Sequence, residues 1–403
     1  MTARVISLGD VAEFVRGITF KPSDLVEIDD QSAILCMRTK NVQSKLDIDD
    51  LIAIPDCLVR KEGQYLSPGD ILISSANSWN LVGKCCWVPE LSRKATFGGF
   101  VTVLRGNPEL VDQRFLYWWF SSERIQRTLR SFGQKTTSIS NLNLGRCLKL
   151  EIPKYSLAEQ RRIAAILDKA ESLRTKRQEA IFELENLAQA IFIEMFGDPI
   201  GNPMGWDDSV RLGEVADVVS GITKGRKLNG KQTREVPYLA VSNVQDMRLS
   251  LDSVKVIEVT EQEIIRYALQ PGDLLLTEGG DPDKLGRGTL WSGELPECIH
   301  QNHVFRVRTT SEQITPRFLN WLIASARGKR YFLKSAKQTT GIASINMTQL
   351  RNFPLLLPPI VVQQRFEEVL GRVKQQKENL SLASQQAEAA FASIQYRAFQ
   401  GTL

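Results

Sequence analysis

The chain is written twice. Leu8-Gly-Asp-Val-Ala-Glu-Phe-Val-Arg-Gly-Ile-Thr19 returns as Leu212-Gly-Glu-Val-Ala-Asp-Val-Val-Ser-Gly-Ile-Thr223, with eight of the twelve positions identical. Asn41-Val42-Gln43 returns as Asn243-Val244-Gln245, and Pro68-Gly69-Asp70 as Pro271-Gly272-Asp273. Arg114-Phe-Leu-Tyr-Trp118 returns as Arg317-Phe-Leu-Asn-Trp321, and Thr136-Thr137 as Thr339-Thr340. The offsets stay between 202 and 204, so the copies share one architecture with almost no insertions. Two units of this size are too few and too large for a solenoid. They read as two globular domains, each followed by a helix. Within each copy the Pro-Gly-Asp turn precedes a short β-type run, Ile71–Ser74 or Leu274–Thr277. A single compact helix is expected near 112–131 and again near 316–333. The fold class is therefore α+β.

Each copy ends in a different kind of sequence. Leu157 to Phe196 contains no Pro or Gly, and apolar residues recur with heptad spacing: Ile163, Ile166, Ala170, Leu173, Ala180, Leu184, Leu187 and Ile191, interrupted by Arg177. The same register in the last segment gives Phe366, Val369, Val373, Leu380, Ala383, Ala387, Ala390 and Ile394, interrupted by Gln376. The seams superpose at an offset of 203. A helix of about 40 residues spans about 60 Å and cannot hide such a stripe alone. The stripe fits a coiled-coil seam. The expected division is 1–156, a first domain; 157–197, a first long helix; 198–361, a second domain; and 362–403, a second long helix.

Composition narrows the function classes. No apolar run approaches the roughly 20 residues of a membrane span, and the N-terminus lacks a basic start before an apolar run, so no membrane or export role is expected. The six cysteines show no Cys-x-x-Cys spacing, which points to the cytoplasm. The net charge is +5, and the two helical segments nearly cancel, at 6 basic against 7 acidic and 5 against 4. The basic excess sits in the domains, which permits DNA binding without demanding it. A phosphate loop is missing, since Gly221-Ile-Thr-Lys-Gly225 has the wrong spacing. Asn202-Pro203-Met204 fails as an adenine-methyltransferase motif at its second proline. Cys298-Ile-His300-Gln-Asn-His303 holds both histidines of the chain, but zinc needs three or four convergent ligands. The segment reads as a polar strand end, and no metal site is assigned.

The ordered set of motifs resembles the DNA-specificity subunits of type I restriction–modification systems over essentially the whole chain. The Leu-Gly-Asp/Glu-Val-Ala openings and the Pro-Gly-Asp turns fit that family. So do the lead-ins to the helices, Ile152-Pro153…Glu159-Gln160-Arg161 and Pro358-Pro359…Gln363-Gln364-Arg365, the exit Met195-Phe-Gly-Asp-Pro199, and the closing Arg397-Ala-Phe-Gln-Gly-Thr-Leu403. The resemblance implies two similar mixed α/β target-recognition domains separated by two long helices that form an antiparallel coiled coil. It implies a non-catalytic subunit that binds double-stranded DNA and joins two modification subunits, which methylate adenine N6 from S-adenosylmethionine. Two restriction subunits using ATP and Mg can be added. No cofactor is expected in this chain itself.

A DNA reader needs cations for phosphates and amides or hydroxyls for base edges. Three stretches per copy qualify. The first follows the opening motif: Thr19 and Lys21, against Lys224, Arg226 and Lys227. The second follows the post-turn strand: Ser75, Asn77, Ser78, Trp79, Asn80 and Lys84, against Glu278, Asp281, Lys284 and Arg287. The third is a basic helix end and polar loop: Arg127, Lys135, Thr136 and Thr137, against Lys337, Gln338, Thr339 and Thr340. The repeated Asn-Val-Gln motif adds Lys40 and Asn41, Ser242 and Asn243. Positions match while contents differ, as expected of two readers of different half-sites. The competing expectation is an adaptor whose two domains bind protein on a coiled-coil spacer.

Overall fold

The computed structural model describes residues 4–135, 139–228, 230–281, 284–339 and 342–403, without the side chains of 134, 135, 338, 339 and 342. The chain forms two compact units, residues 1–179 with 381–403, and residues 180–380.

In the first unit, four antiparallel strands run in the order Ala12–Arg16, Val101–Gly106, Ile71–Ser74, Cys85–Trp87. A second sheet orders Ile52–Pro55, Ala33–Met37 and Ala95–Phe97, the last pair parallel. Ala33–Met37 and Ile71–Ser74 are buried along their whole length, so they read as continuous rather than alternating runs. A third, small sheet joins Gly133–Lys135, Ser140–Leu142 and Ala76–Asn77. The second unit repeats this strand for strand. Its sheets run Ala216–Ser220, Val304–Thr309, Leu274–Thr277, Gly288–Leu290; Lys255–Val259, Arg234–Leu239, Ile299–His300; and Gly279–Gly280, Ile342–Ser344, Lys337–Thr339. It adds a hairpin of Val244–Gln245 with Arg248–Leu249 and a helix, Glu261–Tyr267.

The repeated motifs turn out to be fasteners. The turn glycines Gly69 and Gly272 hold φ of 95° and 93°, where a side chain is strained. The aspartates that follow are buried and bidentate: Asp70 accepts from Arg105 at 2.7 and 2.6 Å, Asp273 from Arg308 at 2.6 and 2.7 Å. Gly17 and Gly221 end the opening motifs because a Cβ there would fall 2.2 and 2.0 Å from the carbonyls of Gly98 and His300.

The single helix expected in each copy is two helices, Gln113–Phe120 with Glu123–Ser131, and Pro316–Ala324 with Ala326–Ser335. Serine breaks both. Ser122 and Ser325 are extended and spend their hydroxyls on the carbonyls of Trp119 and Leu322.

The long helices span Leu157–Phe196 and Ile360–Gln400. In the first unit, Ile163 and Leu167 share a core with Phe391, Ile394 and Ala398. In the second, Phe192 and Phe196 share one with Phe366 and Leu370. The start of each helix meets the end of the other, so the pair is antiparallel. A buried glutamine ties each helix to its domain. Gln160 accepts from the Asp112 amide at 2.7 Å and donates to the Leu110 and Tyr155 carbonyls. Gln363 accepts from the Thr315 amide at 2.9 Å and donates to the Gln313 and Pro358 carbonyls.

The expected seam needs one correction. Inward positions are Ile163, Leu167, Ala170, Arg174, Arg177, Ile181, Leu184, Ala188, Ile191 and Met195. In the second helix they are Phe366, Leu370, Val373, Lys377, Leu380, Ser384, Ala387, Phe391, Ile394 and Ala398. Half of each seam is as expected and half is turned by one residue. Leu173 and Leu187 are 47% and 45% exposed; Ala390 is also exposed, while Ile166, Ala180, Val369 and Ala383 are half-buried flanks. Leu167, Phe192 and Phe196 sit in the domain cores, and that docking sets the rotation of the helix against its own apolar pattern.

Candidate nucleic-acid interface

The small third sheet brings the second and third stretches together. Asn77 pairs with Ser140, and Ser140 with Lys135, so the post-turn loop and the loop after the basic helix share one surface. Gly279–Gly280 and Lys337–Thr339 meet on Ile342–Ser344 in the same way. Thr136, Thr137 and Thr340 lie outside the described residues, as do the side chains of Lys135, Gln338 and Thr339.

A segment that the sequence reading passed over links the first stretch to this surface. In the first unit, Ile18 bridges Gly98, and the Ser75 amide donates to Phe100 at 3.0 Å. In the second, Ile222 bridges Gln301, and the Glu278 amide donates to His303 at 3.0 Å. Phe100 is 64% exposed. Its counterpart His303 is exposed and lies 2.5 Å from the Glu278 carboxylate through Nδ1. Gly-Gly-Phe against Gln-Asn-His, matched in position and different in content, is the same signal that marked the other loops.

Cations and amides converge on a second, duplicated feature. Lys84 donates to the Gln43 side-chain Oε1 at 2.5 Å, and the Gln43 side-chain amide donates to the Lys40 backbone carbonyl at 2.7 Å. Arg287 donates to Gln245 at 3.1 Å, and Gln245 to the Ser242 backbone at 2.7 Å. In the second unit this opens into a concavity of about 400 Å³ lined by Gln245, Asp246, Arg248, Lys284, Arg287 and Lys329. Arg248, Arg287 and Lys329 outnumber Asp246 there, with Lys284 already paired to Asp281, a net-basic lining suited to phosphate.

Several candidates have other duties. Asn41 and Asn243 are buried, and each side chain is spent on its own loop. Asn41 accepts from the Arg38 amide and donates to the Asp47 and Asp50 carbonyls. Asn243 accepts from the Ala240 amide and donates to the Ser250 and Ser253 carbonyls. Both side chains hold the 3-10 turns on which they sit. Arg226 forms a bidentate pair with Glu263 at 2.6 and 2.9 Å, which pulls that carboxyl down to about 2. Lys40 pairs with Asp50, Arg127 with Glu123, and Lys284 with Asp281, all exposed. Lys224 lies 4.9 Å over the Tyr238 ring. Thr19, Lys21, Ser78, Trp79, Asn80, Lys227, Ser242, Asp281 and Lys337 are exposed, and Ser75, Asn77 and Glu278 are half-buried. His300 is fully buried, with Nδ1 on the Val304 carbonyl at 2.7 Å, and burial lowers its pKa to about 4. It faces away from the exposed His303, and Cys298 is buried with its thiol pushed up to about 12.

A domain model for the type I restriction modification DNA specificity domain matches residues 2–183 and 203–386, one copy on each repeat. The chain belongs to that family. Among its relatives, the type I restriction enzyme StySPI specificity subunit of Salmonella potsdam is 26% identical over 98% of this chain and 87% of its own length. The EcoKI specificity subunit of Escherichia coli K12 is 26% identical over 99% and 89%. The fold matches a solved chain from work on complex assembly and conformational transition of the type I R-M system, with a TM-score of 0.62 and 18% identity over 100% of this chain and 98% of that one. It also matches the type I restriction-modification S subunit from M. genitalium, with a TM-score of 0.54 and 12% identity over 99% of each. No helix among the described residues is long and apolar enough to cross a membrane.

Proposed function

We propose that this specificity subunit reads a bipartite, asymmetric target in double-stranded DNA. Each unit contacts one half-site, and the subunit docks two adenine-N6 modification subunits. The observation that carries the reading is one strand order used twice with different loops at the same place: Phe100 and Ser75 in one unit, His303 and Glu278 in the other. Unlike loops then make the target non-palindromic, with unread base pairs between its halves. Lys84 and Arg287 neutralise phosphates, while amides, hydroxyls and the apical residues meet base edges. The subunit itself is non-catalytic and cytoplasmic. S-adenosylmethionine belongs to the modification subunits, and ATP with Mg to any restriction subunits.

Replacing residues 1–156 with the matching unit of a relative tests this. Methylome mapping should find one half-site changed, with the half read by residues 198–361 and the spacer both retained. Change in both halves, or in neither, would sink the two-reader scheme.

A further inference from the structure

The junction between the long helices and the first short helix of each domain is built differently in the two units. In the first it is filled. The Arg114 guanidinium lies 4.5, 4.9 and 5.0 Å from the ring centroids of Trp87, Tyr117 and Trp118. It donates to Asp168 at 2.6 Å, and the Trp118 indole donates to the same oxygen at 2.9 Å. Phe391 closes on Trp118 edge-on at 5.5 Å, and Glu171 pairs with Arg174 at 2.9 Å.

At the offset of 203 the second unit keeps Arg317 and Trp321 and loses the rest. Trp87 becomes Leu290, Tyr117 becomes Asn320, Asp168 becomes Gly371, and Glu171 becomes Lys374. Ala188 stands where the first unit has Phe391. Three rings and two carboxylates are missing, and a groove of about 700 Å³ takes their place. Asn320 lines it at 5% exposure with a buried Oδ1 that has no hydrogen-bond partner among the described residues. Among the described residues Arg317 has no carboxylate, only the Glu367 carbonyl at 3.4 Å. Lys374 and Lys377 also line the groove, with Glu185, Asp246 and Glu294; Lys377 is paired with Glu185 at 2.5 Å, whereas Lys374 reaches only Glu378 at 3.8 Å. A buried acceptor left unpaired is costly, and the groove sets apolar side chains such as Leu184, Leu249 and Leu290 beside charged ones, a mixed lining that suits a partner with an apolar ring and a polar or charged end.

We propose that the groove receives a segment of the modification subunit docked at the second unit, one carrying a Trp or Tyr side chain beside an Asp or Glu. The first unit supplies the template, since its own rings and carboxylates fill the same place. The incoming ring lies against Trp321 and Arg317, its N–H or O–H donates to Asn320, and its carboxylate meets Arg317 or Lys374. The inference rests on the docking of modification subunits proposed above.

The test measures binding of the purified cognate modification subunit to the full chain by calorimetry and native mass spectrometry. The native chain should take two. Leu290→Trp with Asn320→Tyr and Ala188→Phe, which fills the groove, should keep one at native affinity and weaken the other at least tenfold. Asn320→Leu should raise the melting temperature while weakening the same event about tenfold. A photo-crosslinking benzoylphenylalanine at position 290 should label an aromatic–acidic segment of the modification subunit. Two native-affinity subunits on the filled variant, or a crosslink to DNA or to a segment without an aromatic residue, would overturn the groove while leaving subunit docking intact. Failure of the native chain to bind any modification subunit overturns both.

Discussion

In the first unit Phe97 ends the short parallel strand of the second sheet; in the second unit His300 stands there, equally buried. The surroundings differ as little as those of Asp70 and Asp273 or Gln160 and Gln363, yet one position is inert to pH and the other is not. The units keep the buried fasteners Asp70 and Asp273, Gln160 and Gln363, and vary other groups, the half-buried Gln113 among them, which is Pro316 in the second unit. Buried amides and carboxylates with several partners cannot be exchanged without leaving donors unpaired. A ring and an imidazole of similar bulk can be exchanged at a smaller cost, and apical loops at almost none.

The largest expected effect tests the shared half of that comparison. Gln160→Leu and Gln363→Leu each strand one amide and two carbonyls, so each should cost roughly 3 kcal/mol or more. Similar losses for the two, read by hydrogen exchange of the unit concerned, would confirm that the fastener is equivalent. A loss in one unit alone would break the comparison. Next comes His300. Its folded pKa of about 4 lies below the ordinary value of 6.5 because burial disfavours the charged ring. The unfolded chain therefore binds a proton that the folded chain refuses. The stabilisation is complete above 6.5 and falls away as pH drops towards 4, by on the order of 3 kcal/mol. His300→Phe, which copies the first unit, should flatten that window in pH-dependent melts of the second unit. An unchanged acid profile would show that the imidazole is not its source.

Smaller effects belong to the DNA-facing side. Lys84→Ala and Arg287→Ala should each weaken binding to all sequences and shallow the salt dependence by about 0.9 in slope. A slope altered by one and not by the other would mean that the units grip the backbone differently. The smallest change separates the two seam registers: Leu187→Lys should cost less than about 0.5 kcal/mol because that side chain is already half out. Leu167→Lys, at a position that the structure buries and the sequence register leaves out, should cost several times more. Equal costs would restore the register read from the sequence.

Seam residues also show how far the sequence could be read. Ile163, Ala170, Leu184 and Ile191 were legible because period and polarity agree there. Leu173 and Leu187 were not, because Arg174 and Ala188 win the inward place through packing that no local pattern encodes; arginine buries its stem and keeps its head at the edge. The duplication disclosed two domains and the positions of their variable loops. It did not disclose that Asn41 and Asn243 lie inside those loops, since a repeated polar residue looks the same whether it faces a base or its own backbone. The groove at Asn320 was visible only as a Tyr-to-Asn difference inside a repeated motif, and its meaning needed the neighbours Trp87, Asp168 and Phe391.

The make-up of the first unit has a consequence for how the chain is produced. Residues 180–380 are continuous, so the second unit holds all its parts once that stretch has left the ribosome. The first unit is begun earlier and finished later. Its Trp118 ring and the core around Ile163 wait for Phe391, Ile394 and Ala398. The order of completion therefore reverses the order of translation, and a nascent chain carries an open aromatic surface through most of its synthesis. Premature stops near residue 380 would leave the second reader whole and the first one sticky.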